Sequence, residues 1–140
     1  MLHITPAAVD PVKVSLPLFI ERCPAGFPSP CADYADAELD LNDYCIKKKS
    51  STFFVRAIGN SMTDIGLHSG DLMVVDKAEE AHHGDIVIAE IDGEFTVKRL
   101  LLTPRPGLQA MNPNFPTIYP EDLQIFGVVM AFVHKTRGGE

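Results

Sequence analysis

From Ser51 onward the chain is a succession of short β-branched and aromatic runs separated by Gly-Asp and Asp-Gly pairs, which restricts it to a β fold. "TFFVRAI" (52–58) is the first run. "DLMVVD" (71–76) and "DIVIAEI" (85–91) follow, introduced by turns at Gly70-Asp71 and Gly84-Asp85. In "IAEIDGEFTVKRLLL" (88–102), Asp92-Gly93 stands between two strand-like runs, the strongest short-range hairpin signal there is. "GLQAM" (107–111) and the long "LQIFGVVMAFV" (123–133) complete the set. Short strands at such spacings predict a mainly β fold: a compact, antiparallel β domain over 51–140. No internal repeat or low-complexity tract is evident.

Residues 1–50 have a different texture and are expected to form an extended N-terminal arm. They hold six of the eleven prolines: Pro6, Pro11, Pro17, Pro24, Pro28 and Pro30. Proline fixes its own backbone and biases the preceding residue toward extended conformations, so residues 1–30 do not read as a packed element. A short helix is predicted in "DLNDYCI" (40–46), where Leu41, Tyr44 and Cys45 share a face and Asp40 can cap.

The totals exclude several classes of function. The chain has 140 residues, enough for one domain with a single core. Its net charge of −7 argues against general attraction to nucleic acid or anionic membranes, and no sequence-specific DNA binding is expected. The one basic run, Lys47–Lys49, reads as a solvated turn. Cys23, Cys31 and Cys45 are odd in number and lack C-x-x-C spacing, which points to a reducing, cytoplasmic setting without disulfides or zinc. Prolines and charges interrupt the apolar residues of "MLHITPAAVDPVKVSLPLFIERC", so neither a secretion signal nor a membrane span is expected.

Cofactor chemistry finds little support. His82 and His83 are neighbours whose side chains diverge in extended backbone, and His3, His68 and His134 are far apart in sequence. No H-E-x-x-H motif or phosphate-cradling glycine loop occurs, so no metal or cofactor is expected.

Nucleophilic catalysis fits better. Ser61 lies in "IGNSMTDIGLHSGD" (58–71), a turn after an apolar strand. Taken alone it is a loop serine like many others. A serine hydroxyl attacks only when a base removes its proton, and neither a G-x-S-x-G elbow nor a selected histidine is present. A lysine base remains. In "EFTVKRLLL", Thr96, Lys98, Leu100 and Leu102 share one face of a strand that is apolar on both sides. Lys98 either snorkels to solvent or is buried. Burial would lower its pKa by desolvating the ammonium. At the usual pKa of ~10.4, about 0.04% of lysines are neutral at pH 7, and a pKa of ~7 requires roughly 4.6 kcal/mol of bias.

These motifs carry a family resemblance. "GNSM", "SGDLMVVD" and "HGDIVIAEIDGEFTVKRLLLTPRP", with "AGFPSPCADYADAELDLNDYC" in the arm, strongly resemble the UmuD proteins of SOS mutagenesis. That family shares a peptidase domain with the LexA repressor and, more distantly, with signal peptidases, and the resemblance covers nearly the whole chain. It implies that Ser61 is the nucleophile and Lys98 the general base of a serine–lysine dyad. It also implies an oxyanion hole from the backbone N–H groups of Asn60 and Ser61, and self-cleavage between Ala25 and Gly26. Pro24, just before Ala25, departs from the family pattern. The partners implied are a second copy in a homodimer, a RecA–single-stranded DNA filament acting as coprotease, and a UmuC-type Y-family polymerase that the shortened dimer joins. A repressor would need a helix-turn-helix, for which residues 1–50 are too proline-broken, and a signal peptidase would need a membrane anchor. The alternative in play is a regulatory polymerase subunit whose dyad has decayed.

Overall fold

The computed structural model describes residues 3–6, 15–19 and 35–137. Among them nine strands form two sheets. The larger has seven strands in the order β1-β4-β5-β9-β6-β7-β8, every neighbouring pair antiparallel. Its members are β1 (His3–Pro6), β4 (Thr52–Arg56), β5 (Leu72–Asp76), β6 (Ile86–Ile91), β7 (Glu94–Leu101), β8 (Gly107–Gln109) and β9 (Gln124–Val133). β2 (Leu16–Phe19) and β3 (Ala35–Leu39) pair only with each other.

The six strands expected from Ser51 onward are all present. β6 and β7 form the hairpin through Asp92-Gly93, with φ +51° and +80°. Two successive positive φ values are what a two-residue hairpin turn of this hand demands. Residues 41–45 form helix α1 (Leu41–Cys45), and the Asp40 side chain caps it by accepting from Asp43 N. Leu41 and Tyr44 on the expected apolar face are exposed, so the cap and not packing defines this one-turn helix.

β1 was not legible in the sequence. It lies in the proline-rich segment and pairs with β4 from His3↔Arg56 to Pro6↔Phe53. Pro6 is tolerated because β1 is an edge strand of the sheet.

β9 holds the domain together. It is inserted between β5 and β6, and its register shifts against both, at Val74/Val75 and at Ile88/Ala89. Gly127 sits at this irregularity, where a Cβ would lie 2.6 Å from Val75 Cγ1. Two apolar clusters fill the interior. One gathers Val55, Met62, Met73, Val75, Ile88 and Val97, and the other Val87, Ala89, Leu100, Leu108 and Val128. No described helix is long and apolar enough to cross a membrane.

Candidate active site

β4 delivers the chain to a tight loop that ends in Ser61. Ala57, just past the strand, donates to Asp71 O at 2.9 Å and accepts from Gly70 N at 2.8 Å. Gly59 then takes φ +100°, a conformation that suits glycine, and its N–H donates to Ser69 Oγ at 3.2 Å. Met62, immediately after Ser61, is 2% exposed and packs into the first apolar cluster. The buried methionine is an anchor: with its side chain inside, the preceding residue is held at the surface of the core. A single 3-10 turn, Thr63–Ile65, follows and is closed by Gly66 at φ +85°.

A second segment braces this loop from the side. Asp64 N donates to Met111 O at 2.7 Å, and Met111 N approaches Met62 Sδ at 3.3 Å. Asn112 Nδ2 donates to Asn60 O at 2.8 Å and reaches Thr63 Oγ1 at 3.4 Å, while its Oδ1 accepts from Asn114 N at 3.0 Å. The carbonyl of Asn60 belongs to the same planar peptide as the N–H of Ser61. Gripping one end of that peptide fixes the direction of the other.

Lys98 approaches from β7, opposite Val87 of β6. Its Nζ lies 3.1 Å from Ser61 Oγ, 2.8 Å from Thr96 Oγ1 and 3.2 Å from Val97 O. An ammonium has three N–H donors, and here it meets three acceptors. Burial among apolar neighbours lowers the Lys98 pKa by penalising the charged form. Ser61, Thr96 and Lys98 line a cleft of about 230 Å³ together with Ile58, Phe95 and Phe115. Ile58 is 51% exposed and Phe115 40%, which leaves an apolar lip open to an incoming chain.

The fold therefore brings Ser61 and Lys98 together across 37 residues of sequence, with Asn60 on the same cleft. Ala25 and Gly26 lie outside the described residues. Two contributors escaped the sequence reading. Thr96 was visible as a face-mate of Lys98, because alternate strand residues point the same way, but its contact with Nζ was not foreseen. Asn112 gave no local signal, since its partner Asn60 is 52 residues away.

Comparison with known proteins decides the family. The pattern of the family described as "Peptidase S24-like" matches residues 17–130, which include Ser61 and Lys98. The chain belongs to that family. Among its relatives is Protein SamA of Salmonella typhimurium, 67% identical over 137 residues that cover 98% of each chain. Protein MucA of Escherichia coli is 50% identical over 119 residues, 82% of each chain. The LexA repressor of Proteus mirabilis is 37% identical over 127 residues, 89% of this chain and 62% of that protein. The chain is thus a UmuD-type member of the S24 family, as its motifs indicated.

Proposed function

We propose that this S24 member is a self-cleaving serine peptidase of the SOS response that cuts its own Ala25–Gly26 bond. The observation that carries the reading is the contact of Lys98 Nζ with Ser61 Oγ at 3.1 Å, in an open cleft with an apolar lip. When Lys98 loses one proton, its two remaining N–H groups have acceptors waiting in Thr96 Oγ1 and Val97 O. The lone pair then faces Ser61, whose hydroxyl donates to it. Ser61 Oγ attacks the Ala25 carbonyl carbon as Lys98 takes its proton. The N–H groups of Asn60 and Ser61 receive the charge that develops on the carbonyl oxygen, in a direction set by the grip of Asn112 on the Asn60 carbonyl. Lys98 returns the proton to the leaving Gly26 amine, and water then releases the acyl group by the same route.

Burial is central to this reading because only neutral lysine is a base. A protease binds its substrate extended, commonly as an added strand, and the prolines around Ala25–Gly26 keep the arm out of helix. A RecA–single-stranded DNA filament would act by favouring the docked arm, a population shift that needs no new catalytic group. The shortened homodimer, Gly26–Glu140, would then join a UmuC-type Y-family polymerase as its accessory subunit in the cytoplasm. These partners rest on the family membership and the relatives named above.

The test is cleavage of the purified full chain across a pH series. The product should begin Gly-Phe-Pro-Ser-Pro. Without RecA, the rate should climb with pH and level off below about 10.4, the usual lysine value. Ser61→Ala and Lys98→Ala should abolish cleavage near neutrality, and Lys98→Arg should not restore it because guanidinium stays protonated. The filament with ATP should speed the reaction at neutral pH. A chain that stays intact at alkaline pH would overturn the peptidase reading in favour of a decayed subunit.

A further inference from the structure

A histidine pair that the sequence keeps far apart meets on the far side of the nucleophile's loop. Asp71 immediately precedes β5 and is 4% exposed. Both of its oxygens are engaged: Oδ2 accepts from His68 N at 2.8 Å, and Oδ1 meets His134 Nδ1 at 2.6 Å. His134 stands just past the end of β9. The His68 ring folds back so that its own Nδ1 lies 2.8 Å from Gly66 O.

These contacts fix both tautomers. A backbone carbonyl only accepts, so His68 Nδ1 carries the proton. An ionised carboxylate also only accepts, so His134 Nδ1 carries its proton too. A histidine whose Nδ1 holds the proton offers its lone pair at Nε2, and neither Nε2 has a hydrogen-bond partner among the described residues. The rings are exposed, with centroids 5.2 Å apart, and His68, Asp71 and His134 each offer a donor atom within 4.8 Å of the others.

We propose that His68 and His134 form a two-imidazole site for a divalent transition metal ion, Zn²⁺ in the first instance, bound through the two Nε2 atoms. Asp71 and the Gly66 carbonyl hold the rings from behind. A ligating histidine almost always donates its other N–H to a carboxylate or backbone carbonyl, and this site has one of each. Imidazole nitrogen suits Zn²⁺, Cu²⁺ and Ni²⁺. Hard cations such as Mg²⁺ and Ca²⁺ need several oxygens, and those of Asp71 are already committed. The ion would tie the 66–71 turn to the end of β9. Ser69, within that turn, holds Gly59 N of the Ser61 loop, so the tie would stiffen the backing of the cleft. The site is independent of whether the chain cleaves itself.

The experiment is calorimetric titration of Zn²⁺ into the tag-free full chain, carrying Ser61→Ala so that it stays whole. One ion should bind per chain, and Mg²⁺ should not compete. His68→Ala and His134→Ala, both at exposed positions, should each weaken binding at least tenfold, whereas His82→Ala and His83→Ala should leave it unchanged. Asp71→Asn should weaken it about 10–100-fold, as loss of an outer-shell partner does. If Asp71→Asn fails to fold, Cu²⁺ replaces it as probe, and selective broadening of the His68 and His134 ring resonances is the supporting result. Absence of binding, or Zn²⁺ affinity that follows His82 or His83, would overturn the proposal.

Discussion

The chain builds the same turn twice, and the two copies do different jobs. His68-Ser69-Gly70-Asp71 and His82-His83-Gly84-Asp85 share the pattern H-x-G-D. In both, the aspartate Oδ2 accepts from the histidine N–H at 2.8 Å and the aspartate N–H donates to the histidine carbonyl at 3.0 Å. The glycines take φ +94° and +93°. Gly70 N donates to Ala57 O and Gly84 N to Leu100 O, each at 2.8 Å, and Ala57 N and Leu100 N return the bond to the aspartate carbonyls. One copy therefore pins the strand end that leads to Ser61, and the other pins β7 just beyond Lys98. They differ in what packs on them: Asp71 is 4% exposed and gripped by His134, while Asp85 is only partly buried. Local chemistry makes the turn, and tertiary burial sets how much each copy matters.

The largest expected effect follows from that burial. Asp71→Ala strands the His68 N–H and removes the anchor of His134, at a carboxylate that is itself buried. It should cost about 3 kcal/mol, since a buried donor left without a partner loses its full desolvation cost. Asp85→Ala removes the same local bond where water can replace it, at about 1 kcal/mol. Urea melts of the two variants should separate clearly; equal costs would mean that the His134 contact adds nothing to the first turn.

Glycine replacement probes what the copies share. At φ near +94° an L side chain costs about 1–2 kcal/mol, and this strain is local. A Cβ on Gly70 meets nothing within 4 Å, and one on Gly84 meets only the Arg99 side chain at 3.6 Å, an ordinary contact. Gly70→Ala and Gly84→Ala should therefore destabilise almost equally. A difference above about 1 kcal/mol would break the equivalence of the two turns.

How much of this was legible depended on range in sequence. The six strands, the Asp92-Gly93 hairpin and the Asp40 cap are local and could be read from side-chain period and turn chemistry. The Gly-Asp pairs were recognised as turns, but a four-residue pattern is too short to stand out as an internal repeat. Insertion of β9 between β5 and β6 is long-range and left no mark. Lys98 could be read as buried or snorkelling, because burial is a property of the fold. Only the family motifs paired it with Ser61. Asn112 and His134 act on residues 52 and 63 positions away, through contacts that no window of sequence contains.

A smaller effect tests the brace on the Ser61 loop. Asn112→Ala frees the Asn60 carbonyl and so loosens the Ser61 N–H, without touching any group around Lys98. On the proposed mechanism the Ser61 N–H is an oxyanion donor; deleting such a donor outright costs about 100–1,000-fold, so loosening it should slow the plateau rate of cleavage by about tenfold. The pH at half-maximal rate should not move. A shift in that pH would show that Asn112 acts on the base instead.

The smallest effect belongs to Lys98, the proposed base, and it sets that side of the cleft apart from the side that carries Ser61. Its folded pKa lies below the ~10.4 of an unfolded lysine because burial disfavours the ammonium. Below the folded pKa both states hold the proton, and the folded state bears the whole cost of the buried charge. Between that pKa and about 10.4 the unfolded chain binds more protons, so stability rises with pH. Above about 10.4 both states are neutral and the cost is gone. Lys98→Met keeps the length of the side chain and removes the charge, so it should flatten this slope. In a Ser61→Ala background, chosen because the proposed mechanism then cannot cut the chain, the variant should melt on the order of 1–3 °C higher at pH 7. The gain should shrink as the pH approaches 10, because neutral Lys98 keeps its bonds to Thr96 Oγ1 and Val97 O, which methionine lacks. Ser61→Ala alone keeps Lys98 and should show the full slope, since the serine it removes carries no charge to desolvate. If Lys98→Met lowers the Tm at pH 7, the lysine's hydrogen bonds outweigh its desolvation, and the base is not where this site gives up stability.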